Sequence, residues 1–369
     1  MRLHAVELIR ILLHLKTPFR NALGVMTERD ALLVHVITDS GFGWGECVAP
    51  NDPLYTSEYT AGAHAVLRDH LVPRVIDGGD LSAEAVANRL APIAGHRMAK
   101  AALETAVLDA QLRSQDLSLA SYLGGTRDAV VCGVALGITE SVDALIESIE
   151  TFQRVGYRRF KVKIRPGWDR EPLMAVRHHF GPDLPLAADA NGAYAADDAA
   201  LLASLDDADL VMLEQPFSVD DLVGHANLAA SMRTRICLDE SIVSAATAER
   251  AIALGACSIV NIKPGRVGGI FEAMRIHAVC QVRGVDAWCG GMFETGVGRA
   301  ANLALAALPG FTLPADVSPS GRHYVEEIVR PASVMVDGCL PVPTAAGIGV
   351  DVRREVVDSL TTEAETLHP

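Results

Sequence analysis

The chain has 369 residues, half of them hydrophobic, and a formal net charge of −14 at neutral pH. That length buries a large core and divides most naturally into two domains. The acidic balance argues against nucleic acid and anionic membranes as partners, in spite of the local basic pair Arg158-Arg159.

In chain order, strands come first. Leu3–Leu15 and Ala31–Cys47 are apolar and β-branched, and Ser40-Gly41-Phe42-Gly43 supplies a turn between two strands. A helical period follows over Thr56–Leu71, Leu81–Leu90 and Ala99–Ser114. Strands and then helices, without alternation, predict an α+β capping domain over residues 1–127. Strict alternation begins near residue 128 and runs to 322. Its strands are expected at Val131–Leu136, Arg159–Ile164, Pro185–Ala188, Leu210–Leu213, Arg235–Leu238, Ser258–Ile262 and Asp286–Cys289, with a weaker eighth near Phe311–Pro314. The alanine-rich connection Glu294–Pro309 reads as a helix. After residue 323 strand and turn patterns return (Ala332–Val336, Asp337-Gly338, Leu340–Pro343), so 323–369 is expected to rejoin the N-terminal domain.

Five of the alternating segments end in an ionisable residue: Lys163, Asp189, Glu214, Asp239 and Lys263, spaced by 26, 25, 25 and 24 residues. A strand, a helix and two short loops take about that many residues. Parallel strands repeated in this way close into a TIM-like (β/α) barrel, whose chemistry sits at the carboxyl ends of the strands. Lys161 and Lys163 lie two apart, so both face the barrel axis while Phe160, Val162 and Ile164 face the helices. A lone K-x-K at a strand end snorkels to solvent, and a lone Asp after an apolar run is often a helix N-cap. Carboxylates at equivalent height on the neighbouring strands argue against both. Lys263 falls four strands round from Lys163, so the two amines flank whatever lies between them.

Three carboxylates drawn together need a cation. Oxygen-only donors select a hard divalent ion, Mg²⁺ with Mn²⁺ tolerated, and none of the 12 histidines falls at a matching strand end to suggest zinc. Asn191 is placed as a supporting donor. Glu240 should point away from the cluster and support Lys263 or the metal shell. A hard cation between two lysines suits removal of the proton alpha to a carboxylate, by way of an enediolate, with a lysine whose pKa is lowered by burial, the ion and the second amine. One lysine on each face suits racemisation; use of one face suits elimination. The seven cysteines lack C-x-x-C spacing and read as reduced packing residues, Cys289 being the one nearest the expected site. No uninterrupted run approaches the ~20 apolar residues of a membrane helix. The first 16 residues are broken by charges, so no signal peptide is expected and a cytoplasmic location is.

The runs K-x-K at 161–163, D-x-N at 189–191, E-Q-P at 214–216, D-E-S at 239–241 and I-K-P-G-R-x-G-G at 262–269 resemble the enolase superfamily in its muconate-lactonising-enzyme-like subgroup. The nearest likeness is to the o-succinylbenzoate synthase / N-acylamino acid racemase group, supported by Trp44-Gly45-Glu46-Cys47, His96–Lys100, Trp288–Gly296 and Leu340–Thr344. The resemblance implies a modified (β/α)₇β barrel over 128–322 under an α+β cap built from both termini. It implies Asp189, Glu214 and Asp239 as Mg²⁺ ligands, Lys163 and Lys263 as the acid/base pair, and Lys161 beside the substrate carboxylate. It further implies racemisation of N-acylamino acids, N-succinyl ones in particular, and dehydration to o-succinylbenzoate for menaquinone synthesis. Muconate cycloisomerase, dipeptide epimerase and a non-catalytic metal- or ligand-binding barrel are the competing readings.

A loop of the cap over Pro18–Met26, with Phe19, Arg20 and Leu23, is expected to act as the specificity lid, and Tyr55 to roof the pocket. Gly290 and Gly291 would let backbone N–H groups approach a ligand, followed by Met292 and Phe293. Leu23, Phe293 and His323 depart from the family's pattern and bear on the acyl-amino acid preferred. The expected partner is a small-molecule carboxylate, with no nucleic acid and no membrane. Barrels of this kind usually associate, so a homo-oligomer is expected.

Overall fold

The computed structural model describes residues 1–76, 79 and 81–369. The apolar N-terminal runs form β1 (Leu3–Asn21), β2 (Gly24–Thr38) and β3 (Gly41–Cys47) of an antiparallel sheet. The Arg97–Ser114 helix lies against this sheet, burying an alanine-rich face. Gly43 and Gly45 of β3 permit that closeness. A Cβ at Gly43 would lie 2.9 Å from Ala110 Cα, and one at Gly45 2.9 Å from Ala106 N. Among the described residues no helix is long and apolar enough to cross a membrane.

The second half is a seven-stranded parallel sheet in the order β11-β10-β9-β8-β7-β6-β5. Its strands are β5 (Val134–Leu136), β6 (Phe160–Lys163), β7 (Leu186–Asp189), β8 (Met212–Glu214), β9 (Ile236–Leu238), β10 (Ile259–Ile262) and β11 (Asp286–Cys289). The expected strand Val131–Leu136 is in fact two. Before β5 comes β4 (Ala129–Val131), which pairs antiparallel with β13 (Cys339–Pro341) outside the barrel sheet. The expected eighth strand does not form either. Residues 311–316 make isolated parallel bridges, Phe311 to Ala287 and Ala315 to Cys132, and the Asp316 N–H donates to the Cys289 carbonyl at 3.1 Å. Pro314 has no N–H to contribute and interrupts the ladder. This irregular segment fills the gap between β11 and the β4–β5 junction.

Register decides what faces inward. Lys163 lies opposite Asp189, Asp189 opposite Glu214, and Glu214 opposite Cys237. Beneath this layer Ala187, Met212, Cys237, Ile259 and Trp288 pack as a separate apolar cluster inside the barrel. Phe160, Val162 and Ile164 join the outer core, as alternation requires.

The C-terminal tail departs from expectation in detail. Ala332–Val336 forms no strand, and β12 (Val329–Arg330) pairs instead with β14 (Asp351–Val352). The Arg354–Leu360 helix then leads into β15 (Thr361–Leu367), which pairs antiparallel with β1 at the sheet edge. The segment T-T-E-A-E-T-L is polar because much of it is exposed on that edge.

The expected lid loop is the end of the β1–β2 hairpin: Phe19 pairs with Met26, Arg20 with Val25 and Asn21 with Gly24. Its turn is closed by Asn21 Oδ1, which accepts from Leu23 N at 2.9 Å and Gly24 N at 3.1 Å.

Candidate active site

The residues at the strand ends meet as the alternation requires. Lys163 Nζ donates to Asp189 Oδ2 at 2.7 Å and to Asn191 Oδ1 at 2.6 Å. Lys161 Nζ lies 2.8 Å from Glu214 Oε2, 3.1 Å from Asp189 Oδ2 and 2.8 Å from Asp316 Oδ2. Lys263 Nζ donates to Asp239 Oδ2 at 2.7 Å and to the Tyr55 hydroxyl at 3.1 Å. All three lysines and all three expected metal ligands are buried.

Neighbouring side chains hold the acids in place. Asn261 Nδ2 donates to Glu214 Oε1 at 2.8 Å. Arg266 Nε lies 3.0 Å from Asp239 Oδ1. Gln215 Oε1 accepts from the Asp239 N–H at 3.1 Å and the Ser241 N–H at 3.2 Å, fixing the chain just past β9. Asn191, at φ 45°, accepts from Lys163 and passes a hydrogen bond from Nδ2 to Glu240 Oε1 at 2.8 Å.

The charges perturb one another strongly. Burial, then the charge of Asp189, pushes Glu214 up to about 8. Burial also raises Asp239, but Lys263 and Arg266 outweigh it and hold that carboxyl well below its usual range. For Asp189 the same contest between burial and Lys163 with Lys161 ends lower than usual. Burial lowers Lys161, yet Asp316, Glu214 and Asp189 carry it well above the ordinary lysine value. Burial lowers Lys263 too, and Asp239, Tyr55 and Glu240 reverse that. The lowered base expected from the sequence is therefore not the direction at Lys263, because each amine rests on an acid.

Among the described residues no three His, Cys, Asp or Glu side chains are close enough to form a ready-made metal cage. The donor set nevertheless fits a hard cation. It offers oxygen donors alone, on three consecutive strands, with Glu214 kept from ionising by burial and by the charge of Asp189.

Above this layer opens a cavity of about 400 Å³. Phe19, Leu23, Tyr55, Lys161, Lys163, Asn191, Lys263, Gly291, Met292 and Phe293 line it, so the hairpin end and the strand ends enclose one space. The Phe19 and Phe293 rings meet edge to face at 5.0 Å, and Phe293 meets His323 at 4.8 Å. Tyr55 does more than roof the pocket, since its hydroxyl lies 3.3 Å from both Asp239 carboxylate oxygens.

Three expectations need correction. Arg20 is exposed, and it is its carbonyl that matters, accepting from the Ile138 N–H at 2.8 Å. Gly290 does not line the cavity; a Cβ there would lie 2.8 Å from Asn261 Cγ, so its smallness serves the bond from Asn261 to Glu214. Glu240 is buried within the cluster rather than pointing away, and burial, Asp239 and Asp189 push it up to about 7. Strand alternation does not apply there, because β9 ends at Leu238. Arg159, one of the local basic pair, is buried, paired with Asp316, and stacked over Trp288 at 4.2 Å. Cys289 is a packing residue, its Sγ directed at the Asn302 carbonyl at 3.6 Å.

Asp316, Asn261, Gln215 and Arg266 were not singled out from the sequence. Asn261 had a signal, since it precedes Lys263 by two, as Lys161 precedes Lys163. Asp316 follows Pro314, which hides the end of the eighth segment.

Comparison with known proteins agrees with this architecture. Residues 5–124 match the family described as mandelate racemase / muconate lactonizing enzyme, N-terminal domain, and residues 144–356 match the enolase C-terminal domain-like family. The chain is 52% identical over 362 residues to the N-succinylamino acid racemase of Amycolatopsis sp, covering 98% of each. It is 43% identical over 366 residues to the o-succinylbenzoate synthase of Bacillus subtilis (strain 168), covering 99% of this chain and 98% of the relative. A crystal structure of an enolase superfamily member from Listeria innocua Clip11262 superposes with a TM-score of 0.96 at 39% identity, over 100% of this chain and 99% of the other.

Proposed function

This chain belongs to the mandelate racemase / muconate lactonizing enzyme family of the enolase superfamily, and we propose that it moves the proton alpha to a carboxylate. Its reactions are the racemisation of N-succinylamino acids and the elimination of water that yields o-succinylbenzoate. The observation that carries this reading is the pair of amines: Lys163 ends β6 and Lys263 follows β10, four strands apart, and both line one cavity.

Members of this superfamily generally use a divalent metal ion. Here Asp189, Glu214 and Asp239 would hold Mg²⁺, with Mn²⁺ accepted. The ion supplies positive charge where the substrate carboxylate gains negative charge as its α-proton leaves. Everything else falls to the chain's own residues. Lys163 removes the proton from one face of the α-carbon, and Lys263 delivers or removes it on the other. Lys161, fixed between Glu214 and Asp316, keeps a permanent positive charge beside the substrate carboxylate. Tyr55 and Asn191 hold the two amines in line. Asp189 and Asp239 serve as both proposed ligands and partners of the amines, so engaging them elsewhere weakens the pull that favours the ammonium forms. The hairpin end with Phe19 and Leu23 keeps water from the reacting carbon.

We place the division between cap and barrel at 1–127 plus 323–369 against 128–322. The enzyme is assigned to the cytoplasm, a reducing compartment that suits its seven unpaired cysteines, and is expected to associate as a homo-oligomer. Rates on N-succinylamino acids, the o-succinylbenzoate precursor, muconate and a dipeptide test the substrate class. The proposal requires the first two to be turned over fastest. Faster turnover of muconate or the dipeptide would overturn it, and metal binding without any α-proton exchange would favour a binding barrel.

A further inference from the structure

The lysines and carboxylates at the strand ends account for one acidic end of a substrate, and the cavity holds a cation they do not use. Arg322 lines the same space, beside Ala135, Ser318 and His323. It is half-buried, and its hydrogen bonds go to neutral groups: Nη1 donates to Ser318 Oγ at 3.1 Å and Nη2 to the Ala135 carbonyl at 2.8 Å. Its guanidinium lies over the Phe152 ring at 4.6 Å and near Tyr157 at 5.9 Å, which fixes the plane of the fork.

Among the described residues Arg322 makes no ion pair. Asp316, an acid that acts on it at a distance, is already bound to Arg159 and Lys161. Arg299, another cation of the cavity wall, is matched by Glu294 Oε2 at 3.3 Å. A withdrawn guanidinium with neutral partners is an incomplete arrangement, because arginine stays charged and burial disfavours that charge until an anion joins it. The planar fork matches a carboxylate.

Position supports the same ligand. Ala135 of β5 lies opposite Lys161 of β6, so Arg322 is anchored one strand away from the lysine placed beside the reacting carboxylate. Neighbouring strands are ~5 Å apart, a separation that an amide and two methylenes can span with room to turn.

We propose that Arg322 recognises a second carboxylate, the one at the far end of the substrate's acyl group, and so selects dicarboxylic over neutral acyl chains. This deepens the proposed function and rests on its placement of the reacting carboxylate between the lysines.

The test measures binding, so it does not depend on turnover. Dissociation constants for N-succinylglycine and N-acetylglycine are determined by calorimetry, with Mg²⁺ present, for the wild type, Arg322→Met and Arg322→Lys. The wild type should prefer the succinyl compound by roughly tenfold to a hundredfold, the value of one charged hydrogen-bonded contact. Arg322→Met should bring the ratio close to one, and Arg322→Lys should restore part of it. A wild-type ratio near one, or a ratio that survives Arg322→Met, overturns the inference; uniform weakening of both ligands does so as well, since a structural defect leaves the ratio unchanged. If the ratio collapses in Arg322→Met while the wild type exchanges no α-hydrogen, the recognition stands and the catalytic reading fails.

Discussion

Gly290→Ala tests whether the site is held from behind. An added Cβ would fall inside the contact radius of Asn261 Oδ1 and 2.8 Å from both Asn261 Cγ and Nδ2. Ordinary carbon contacts need about 3.5–4.0 Å, so the amide must retreat by roughly 1 Å. Asn261 is fully buried, and its Nδ2 sits 2.8 Å from Glu214 Oε1, so that retreat carries the bond beyond hydrogen-bonding range. Overpacking costs about 1–3 kcal/mol, and losing a hydrogen bond between neutral groups about 0.5–1.5 kcal/mol. A shift in a residue that orients the proposed metal ligand Glu214 should lower metal affinity by roughly 10–100-fold. Titration of chelator-treated protein with Mg²⁺ in a calorimeter should find that loss, and urea unfolding should find the destabilisation. The double variant Gly290→Ala, Asn261→Ala separates this account from a general packing defect, because removing the amide removes the clash. The two single costs should exceed the double by about 1 kcal/mol or more. If they add to within about 0.5 kcal/mol, the sites are independent and the reasoning is wrong.

Two other substitutions probe charges outside the proposed catalytic pair. Asp316→Asn leaves Arg159 buried without its acid and should destabilise the protein by about 3 kcal/mol or more, read as a lower melting temperature; an unchanged melt would contradict it. Glu104, on the Arg97–Ser114 helix, accepts from the Phe271 N–H at 3.2 Å, and burial pushes it up to about 8. A carboxyl raised in the folded state adds stability that is complete below its ordinary value near 4.5 and is lost as pH rises through 8. Glu104→Gln should remove that dependence, gaining on the wild type between pH 5 and 8 by up to a few kcal/mol at about 1.4 kcal/mol per pH unit. Parallel urea-unfolding profiles for the two proteins across that range would contradict the assignment.

The repeat of strand ends was legible because barrel strands keep a common inward parity, which brings Lys163, Asp189 and Glu214 together and carries one residue past β9 and β10 to Asp239 and Lys263. Asn261 obeys the same rule and could have been read from I-V-N-I-K. The features that escaped lie where periodicity stops. Glu240 follows the end of β9, so alternation misplaced it. Asp316 sits on a segment that Pro314 keeps from becoming a strand. The edge strand β15 is polar because solvent covers much of it, which removes the apolar signal a strand normally gives. Gly290 and Gly291 looked alike in sequence, but only the packing against Asn261 distinguishes a spacer from a cavity wall.

The pairing of two opposed amines about one α-carbon is tested most directly by proton NMR in D₂O. With Mg²⁺ and each enantiomer of an N-succinylamino acid in turn, the wild type should replace the α-hydrogen of both by deuterium. Lys163→Ala should abolish exchange of the enantiomer whose α-hydrogen faces Lys163, while Lys263 still exchanges the other. Full exchange of both enantiomers persisting in Lys163→Ala would mean that the base lies elsewhere.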